Sequence, residues 1–303
     1  MGYQIVEQGD DSYAEAEAHY EVGLQLAREI GSRTFETRLL SNLSTLYMRR
    51  GQFRKAAQRL EKSLSIAHET NSTRQKAFAI NGQANLMMNF GDLDGSQQHF
   101  EHALTHFRQI GHRQGEGKTL SELGLLRLLQ NTPVEAEHLN QQALKIAREI
   151  NIRRDQAYAL TRLGDAWATQ SKWTKATAAC QDALVIYQET KQQKRSLEPL
   201  AGLAHVAWTQ GKQTEALTQV QQILPYLESS EQESSELDTT HDLFQVYRIC
   251  YQLLRQTNDP RAAKIQMRFQ HIIQQCSQHL PDDVDQVQYL KQMTRYYAML
   301  LGA

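Results

Sequence analysis

Histidine, cysteine and a glycine–lysine pair are the residue types in this chain best suited to chemistry, and each occurs in a suggestive setting. His99, His102 and His106 stand at i, i+3 and i+7, one face of a helix, where imidazoles could share a metal ion. No carboxylate or thiolate falls at an obvious fourth position, so the face reads as solvated and no metal is expected. His112-Arg-Gln-Gly115-Glu-Gly117-Lys118-Thr119 imitates a phosphate loop. That pattern needs glycine five residues before the Gly-Lys pair, where this chain has His112, and it needs a preceding strand. Cys180 falls in the slot that Leu60, Phe100 and Val220 fill elsewhere, which predicts a buried, inert thiol. No catalytic residue and no cofactor is expected.

Asparagine carries a different chemistry, at positions 42, 81, 85 and 89. A side-chain amide has one acceptor and two donors, so it can bond both the N–H and the C=O of an extended peptide without reading its sequence. Whether these amides meet depends on the elements that carry them.

Those elements are set by a repeat. Leu64-Ser-Ile66-Ala67-His-Glu69 recurs as Leu24-Gln-Leu26-Ala27-Arg-Glu29, Leu144-Lys-Ile146-Ala147-Arg-Glu149 and Leu184-Val-Ile186-Tyr187-Gln-Glu189, with a looser copy at Leu104. The step is 40 positions. Small residues keep it at Ala16, Ala56, Ser96, Ala136, Ala176 and Ala216, and chain-reversing residues keep it at Gly51, Gly91, Asn131, Ser171 and Gly211. Each unit reads as two amphipathic helices, about 35–49 and 53–69 in one copy, closed by residues that tolerate positive φ. Gly31, Asn71, Gly111 and Asn151 mark the second closure. Thr132-Pro133-Val134-Glu135 spells an N-cap, a first-turn proline and a capping-box acid. Small residues at Ser44, Ala84, Gly124, Gly164 and Ala204 allow close approach within a pair. One pair cannot bury its own stripe, so the units must stack.

The order large–Leu–small–aromatic, turn, Ala, then a large residue and Ala resembles the tetratricopeptide repeat. It is clearest in Leu160-Thr-Arg-Leu163-Gly164-Asp-Ala-Trp167 followed by Ala176, Cys180 and Ala183. The 40-residue step is similar to the long-helix subtype of spindle-orientation adaptors and bacterial signalling ATPases. The resemblance covers about residues 14–228; Gln83 in place of Leu, and lost aromatics in several copies, depart from it. It implies an all-α solenoid, a right-handed superhelix of antiparallel helix pairs, without enzymatic activity, that binds an extended protein or peptide segment in its groove. Counted from the repeat, the inner positions are Arg38, Asn42, Thr45 and Arg49, then Phe78, Asn81, Asn85 and Asn89, then Lys118, Ser121, Glu122 and Leu125. Tyr158, Arg162 and Asp165 follow, then Glu198, Gly202, His205 and Trp208. The expected ligand contacts are Arg38, Asn42, Arg49, Asn81, Asn85, Asn89, Tyr158, Arg162, Asp165 and His205, the arginines pairing with acidic groups. The rival readings are a small-molecule sensor of a bacterial regulator, with an aromatic pocket around Tyr158, Trp167 and Trp208, and a self-associating scaffold.

The rest of the chain sets limits. Residues 1–228 read as the array, starting within a partial first repeat because Tyr3 lies 40 before Leu43; 229–240 as an acidic, Ser-rich loop; and 241–303 as a degenerate pair plus a last helix. That helix is expected to start at Pro281 and to cover the open end with Val284, Val287, Leu290, Met293, Tyr297 and Leu300. The partial start suggests an effector domain upstream in a parent chain. With 33 Lys and Arg against 34 Asp and Glu there is no basic surplus for phosphates, so no nucleic-acid partner is expected. Three scattered cysteines, no signal peptide and no apolar run of membrane-spanning length predict a cytoplasmic protein with no membrane partner.

Overall fold

A computed structural model describes residues 13–228 and 241–301. Fourteen α-helices run in order: α1 (Tyr13–Glu29), α2 (Arg33–Arg49), α3 (Phe53–Glu69), α4 (Thr73–Phe90), α5 (Leu93–Gln109), α6 (Arg113–Leu129) and α7 (Pro133–Glu149). They continue as α8 (Arg153–Thr169), α9 (Trp173–Glu189), α10 (Leu197–Thr209), α11 (Gln213–Glu228), α12 (His241–Gln256), α13 (Arg261–Gln278) and α14 (Gln286–Leu301). No strand occurs among the described residues. The expected acidic loop and partial first helix lie outside them.

The spacing comes from the helix ends. Ten residues with positive φ stand 20 apart, from Gly31 and Gly51 through Asn71, Ser171 and Lys191 to Gly211. At the first, Gly31 N–H donates to the Arg28 carbonyl (3.0 Å) and Ser32 N–H to the Ala27 carbonyl (2.8 Å). This paired closure satisfies the last carbonyls of the helix and turns the chain. Lys191 and Ser171 adopt the same backbone without glycine's freedom, so the packing of the array holds them there.

Each helix packs on its neighbours in sequence, and the even-numbered helices also touch one another along most of the array. They form the inner layer of an α-solenoid. Both small-residue series are buried at the helix crossings: Ala16, Ala56, Ser96, Ala136, Ala176 and Ala216 on the outer helices, and Ser44, Ala84 and Ala204 on the inner ones, are all 0% exposed. Ser96 Oγ donates to the Ala84 carbonyl across 2.9 Å, which is how close these backbones come. Side chains such as Leu40, Leu43, Leu60 and Phe100 fill the layer between, each contributing about 1.5–3 kcal/mol by leaving water.

Three local expectations need correction. Thr132 does not cap α7: its hydroxyl donates to the Arg127 carbonyl (3.1 Å), and Glu135 pairs with Arg127 Nε (2.8 Å) because the guanidinium offers a stronger, charge-assisted bond than a helix amide. The last helix starts at Gln286, and its buried stripe is Tyr289, Met293 and Tyr297, whereas Val287 (60%) and Leu290 (38%) face outward. Nor does it simply cover the end of a stack. Phe53 of α3 packs edge-on against Tyr289 of α14 (6.5 Å between centroids), and the apolar core of α1–α3 is continuous with that of α10–α14. A second seam brings Lys194 over the ring of Tyr13 (5.8 Å). The array curls until its ends meet.

At the other edge, Val22, Leu26 and Ile30 of α1 are 59%, 53% and 72% exposed. The residues 40, 120 and 160 positions after Leu26, namely Ile66, Ile146 and Ile186, are 3%, 5% and 4% exposed. Leu26 occupies the slot that faces the inner helix of its own pair, and α1 has no such partner among the described residues.

Candidate functional site

The inner faces of α2, α4, α6 and α8 line a cavity of about 370 Å³ that opens to solvent. Asn42, Thr45 and Arg49 come from α2, Phe78, Asn81, Asn85 and Asn89 from α4, Lys118, Ser121, Glu122 and Leu125 from α6, and Tyr158 from α8. Inner helices of nearly equal length in a 40-residue register put the same helical positions on one wall.

The asparagines on α4 form a ladder. Asn85 Nδ2 donates to the Asn81 carbonyl (3.0 Å) and Asn89 Nδ2 to the Asn85 carbonyl (2.8 Å). Asn81 Oδ1 accepts from Thr119 Oγ1 of α6 (2.8 Å). These bonds fix the amide planes and leave one N–H and the side-chain oxygen of both Asn85 and Asn89 for a ligand. Glu122 accepts from the Tyr158 hydroxyl (3.3 Å), while Asp155 accepts from Gln114 (3.2 Å) and from Arg154 Nε (3.3 Å). Four cations, Arg49, Lys118, Arg154 and Arg195, line the cavity with two carboxylates, Glu122 and Asp155.

Three glycines of the wall act as windows. A Cβ on Gly82 would lie 2.5 Å from Leu60, on Gly115 2.5 Å from Phe107, and on Gly117 3.1 Å from Ile146. Leu60, Phe107 and Ile146 belong to outer helices, yet all three reach the cavity surface. The missing side chains let these three, only 1%, 1% and 5% exposed, pack directly behind the wall between the amides.

Six of the expected contacts are brought together: Asn42, Arg49, Asn81, Asn85, Asn89 and Tyr158. Four do not line the cavity. Arg38 is exposed, its guanidinium 4.7 Å over the Phe35 ring. Arg162 is 2% exposed, donates to Asp165 (3.2 Å) and Glu198 (3.0 Å), and lies 4.9 Å over the Tyr158 ring. His205 is half-buried on α10; burial, then the nearby Arg248 charge, holds its imidazole below the usual range. The cavity wall ends at Tyr158 on α8 and takes no residue from α10, so His205 lies beyond it. Trp167 and Trp208 do not line the cavity either; they pack against Ala176 and Val206 and against the closing core.

Gln114, Arg154, Arg195 and Tyr20 line the site without having been singled out. Gln114 and Arg154 sit four residues before Lys118 and Tyr158, one helical turn earlier on the same stripe, so the register itself could have found them. Tyr20 and Arg195 come from α1 and from the turn before α10, the two elements that Lys194 and Tyr13 bring together.

The phosphate-loop imitation is a helix start: His112 Nδ1 accepts from Gly115 N–H (2.9 Å) as the N-cap of α6. His102 and His106 stack at 4.9 Å, and no three His, Cys, Asp or Glu cluster to hold a metal among the described residues. All three cysteines are buried, and burial pushes the Cys250 thiol up to about 12. No helix among the described residues is long and apolar enough to cross a membrane.

Paired helices, small crossing residues and a polar inner wall define a tetratricopeptide-type solenoid, and the comparisons agree. Two family models, each described as tetratricopeptide repeat, match residues 37–74 and 76–149. The chain thus carries a tetratricopeptide-repeat array. No curated protein matches. Among solved structures it is similar to a Rap protein complexed with competence and sporulation factor (13% identity, 95% of this chain and 79% of that one, TM-score 0.62). It is also similar to BtubC from P. vanneervenii (18% identity, 74% and 94%, TM-score 0.56). A third likeness is to a signal transduction ATPase with numerous domains and a tetratricopeptide repeat sensor, from Pyrococcus horikoshii (15% identity, 90% and 43%, TM-score 0.56), of which the chain spans less than half. At these identities the likenesses show the fold.

Proposed function

We propose that the chain is a non-enzymatic binding module that takes a short, acidic, extended peptide segment into its inner cavity. The observation that carries this is the wall itself: the ladder Asn81–Asn85–Asn89 facing Asn42, with cations in excess of carboxylates. Amides hold a peptide backbone, and the excess of cations over carboxylates in the lining favours acidic side chains. A volume of about 370 Å³ falls in the range of ordinary ligand pockets, which favours a few residues over a long passing chain. A sensor of this kind would report to an effector domain in a parent chain, the arrangement named in the Pyrococcus ATPase.

Fluorescent heptapeptide pools of acidic and basic composition provide the test. The acidic pool should raise the anisotropy at protein concentrations where the basic pool does not. The double variant Asn85→Ala/Asn89→Ala and the single variant Lys118→Glu should lose that signal with unchanged helicity. Equal binding of both pools, or full binding by both variants, would remove the proposal.

The uncovered stripe Val22–Leu26–Ile30 favours a second reading, self-association through α1. Concentration-dependent sedimentation abolished by Leu26→Glu would support it, and a concentration-independent monomer would not.

A further inference from the structure

Arg162 lies outside the cavity wall and yet touches it. Its side chain is 2% exposed on α8, held by Asp165 three residues on (3.2 Å) and by Glu198 in the first turn of α10 (3.0 Å). A buried cation needs such partners, and two carboxylates fix where the planar guanidinium lies. The guanidinium carbon sits 4.9 Å from the centroid of the Tyr158 ring, over its face. Tyr158 in turn donates from its hydroxyl to Glu122 Oε2 of α6 (3.3 Å), and both of these residues line the cavity.

The repeat explains the arrangement. Arg162 stands 40 positions after Glu122, and Glu198 stands 40 after Tyr158, so the same two places on successive inner helices change residue type from copy to copy. The contacts from Tyr158 to Glu122 and from Arg162 to Glu198 both span 36 residues, one diagonal of that register. Tyr158 and Arg162 are four apart on α8 and therefore share a face. Glu198, Arg162, Tyr158 and Glu122 thus form one row across α10, α8 and α6. A ring stacked on a fixed guanidinium presents its hydroxyl in one direction, and in that direction lies Glu122. A carboxylate that accepts such a bond has one oxygen engaged and its rotation restricted, so it offers less to a cationic group of a ligand.

We infer that Arg162 is a positioning residue that sets the charge preference of the cavity: it fixes Tyr158, whose hydroxyl engages the Glu122 carboxylate and leaves the cations of the wall to dominate what a ligand meets. This deepens, and rests on, the preference for acidic groups proposed above, but it does not require that the ligand be a peptide.

Charged thiol reagents of similar size test it in the full chain. Asn85 is half-buried and lines the cavity, so Asn85→Cys reports the field there, while Cys180, Cys250 and Cys276 are buried. With each rate taken relative to that of a small free thiol, an anionic methanethiosulfonate should label this cysteine faster than a cationic one. Tyr158→Phe removes only the hydroxyl, and Arg162→Lys keeps a charge between Asp165 and Glu198 while losing the flat face. Neither substitution alters the net charge, yet each should lower the anionic-to-cationic ratio about threefold, with melting close to native. In a Glu122→Gln background both should leave the ratio where that background sets it, which a purely structural role for Arg162 would not produce. An unchanged ratio in Tyr158→Phe or Arg162→Lys, or an equal fall in the Glu122→Gln background, would overturn the inference. Failure of either peptide pool to bind would leave this readout intact, so the two proposals fail separately.

Discussion

The guanidinium of Arg54 donates to the main-chain carbonyl of Leu280, although 226 residues separate them in the chain. A 20-residue rhythm of helices makes this meeting possible, since equal units turn by equal amounts until the last pair reaches the first. The consequence is chemical. The inner wall of α2 to α8 is thereby held in a fixed curve, with its amides and cations gathered on one concave face.

One repeat position gives opposite results at the two sites where it is filled differently. Leu26→Asn should change stability by no more than about 0.5 kcal/mol, because the side chain is already in water. Ile146→Ala, at the equivalent slot in a covered unit, should cost about 2–4 kcal/mol. Urea unfolding of the two variants checks the pair.

Gly164→Ala sets helix propensity against packing. Alanine gains about 1 kcal/mol within a helix. The new Cβ would meet Cys180 Sγ at 2.5 Å, and overpacking costs about 1–3 kcal/mol. A net loss is expected, and adding Cys180→Ala should recover part of it, a coupling that thermal melts of the single and double variants measure.

Removing the charge of Arg162 should cost far more than removing that of Arg38. Arg162→Met leaves Asp165 and Glu198 without their shared cation, a loss of about 3–5 kcal/mol. Arg38→Met should be neutral within about 0.5 kcal/mol, because its side chain is exposed. Chemical denaturation distinguishes the two.

His112 links the start of α6 to pH. Burial first, then the charges of Arg74 and Lys118, lower its affinity for a proton below the usual imidazole value of 6.5. The neutral ring is the form that accepts from Gly115 N–H. The unfolded chain therefore binds this proton more readily, and the contribution is full above pH 6.5 and lost as pH falls below it. Losing the cap costs about 1 kcal/mol. Melting temperatures should decline over that range in the native chain and decline less in His112→Asn, which caps without titrating.

Much of this was legible in the residues. The 40-residue step located α3 at 53–69 and the left-handed residues that end the helices, because turn chemistry is local. It also placed Asn81, Asn85 and Asn89 on one face, since helical periodicity fixes which residues share a stripe. What it could not give was curvature. How far each unit rotates on the next depends on side-chain packing at many crossings, and the meeting of Phe53 with Tyr289 is the sum of all of them. For the same reason Tyr20 and Arg195 could not be assigned to the site, and His205 lies outside it because the wall stops at α8.

Where a captured ligand sits tests the account most directly. An acidic heptapeptide selected from the pools, carrying a photo-reactive residue, can be cross-linked to the native chain and the attachment sites read by mass spectrometry. Attachment to the cavity-facing residues of α4 and α6, around Asn85 and Lys118, is predicted, with none in Asn85→Ala/Asn89→Ala. Attachment confined to solvent-facing residues of α3, α5 or α7, unaffected by that variant, would contradict it.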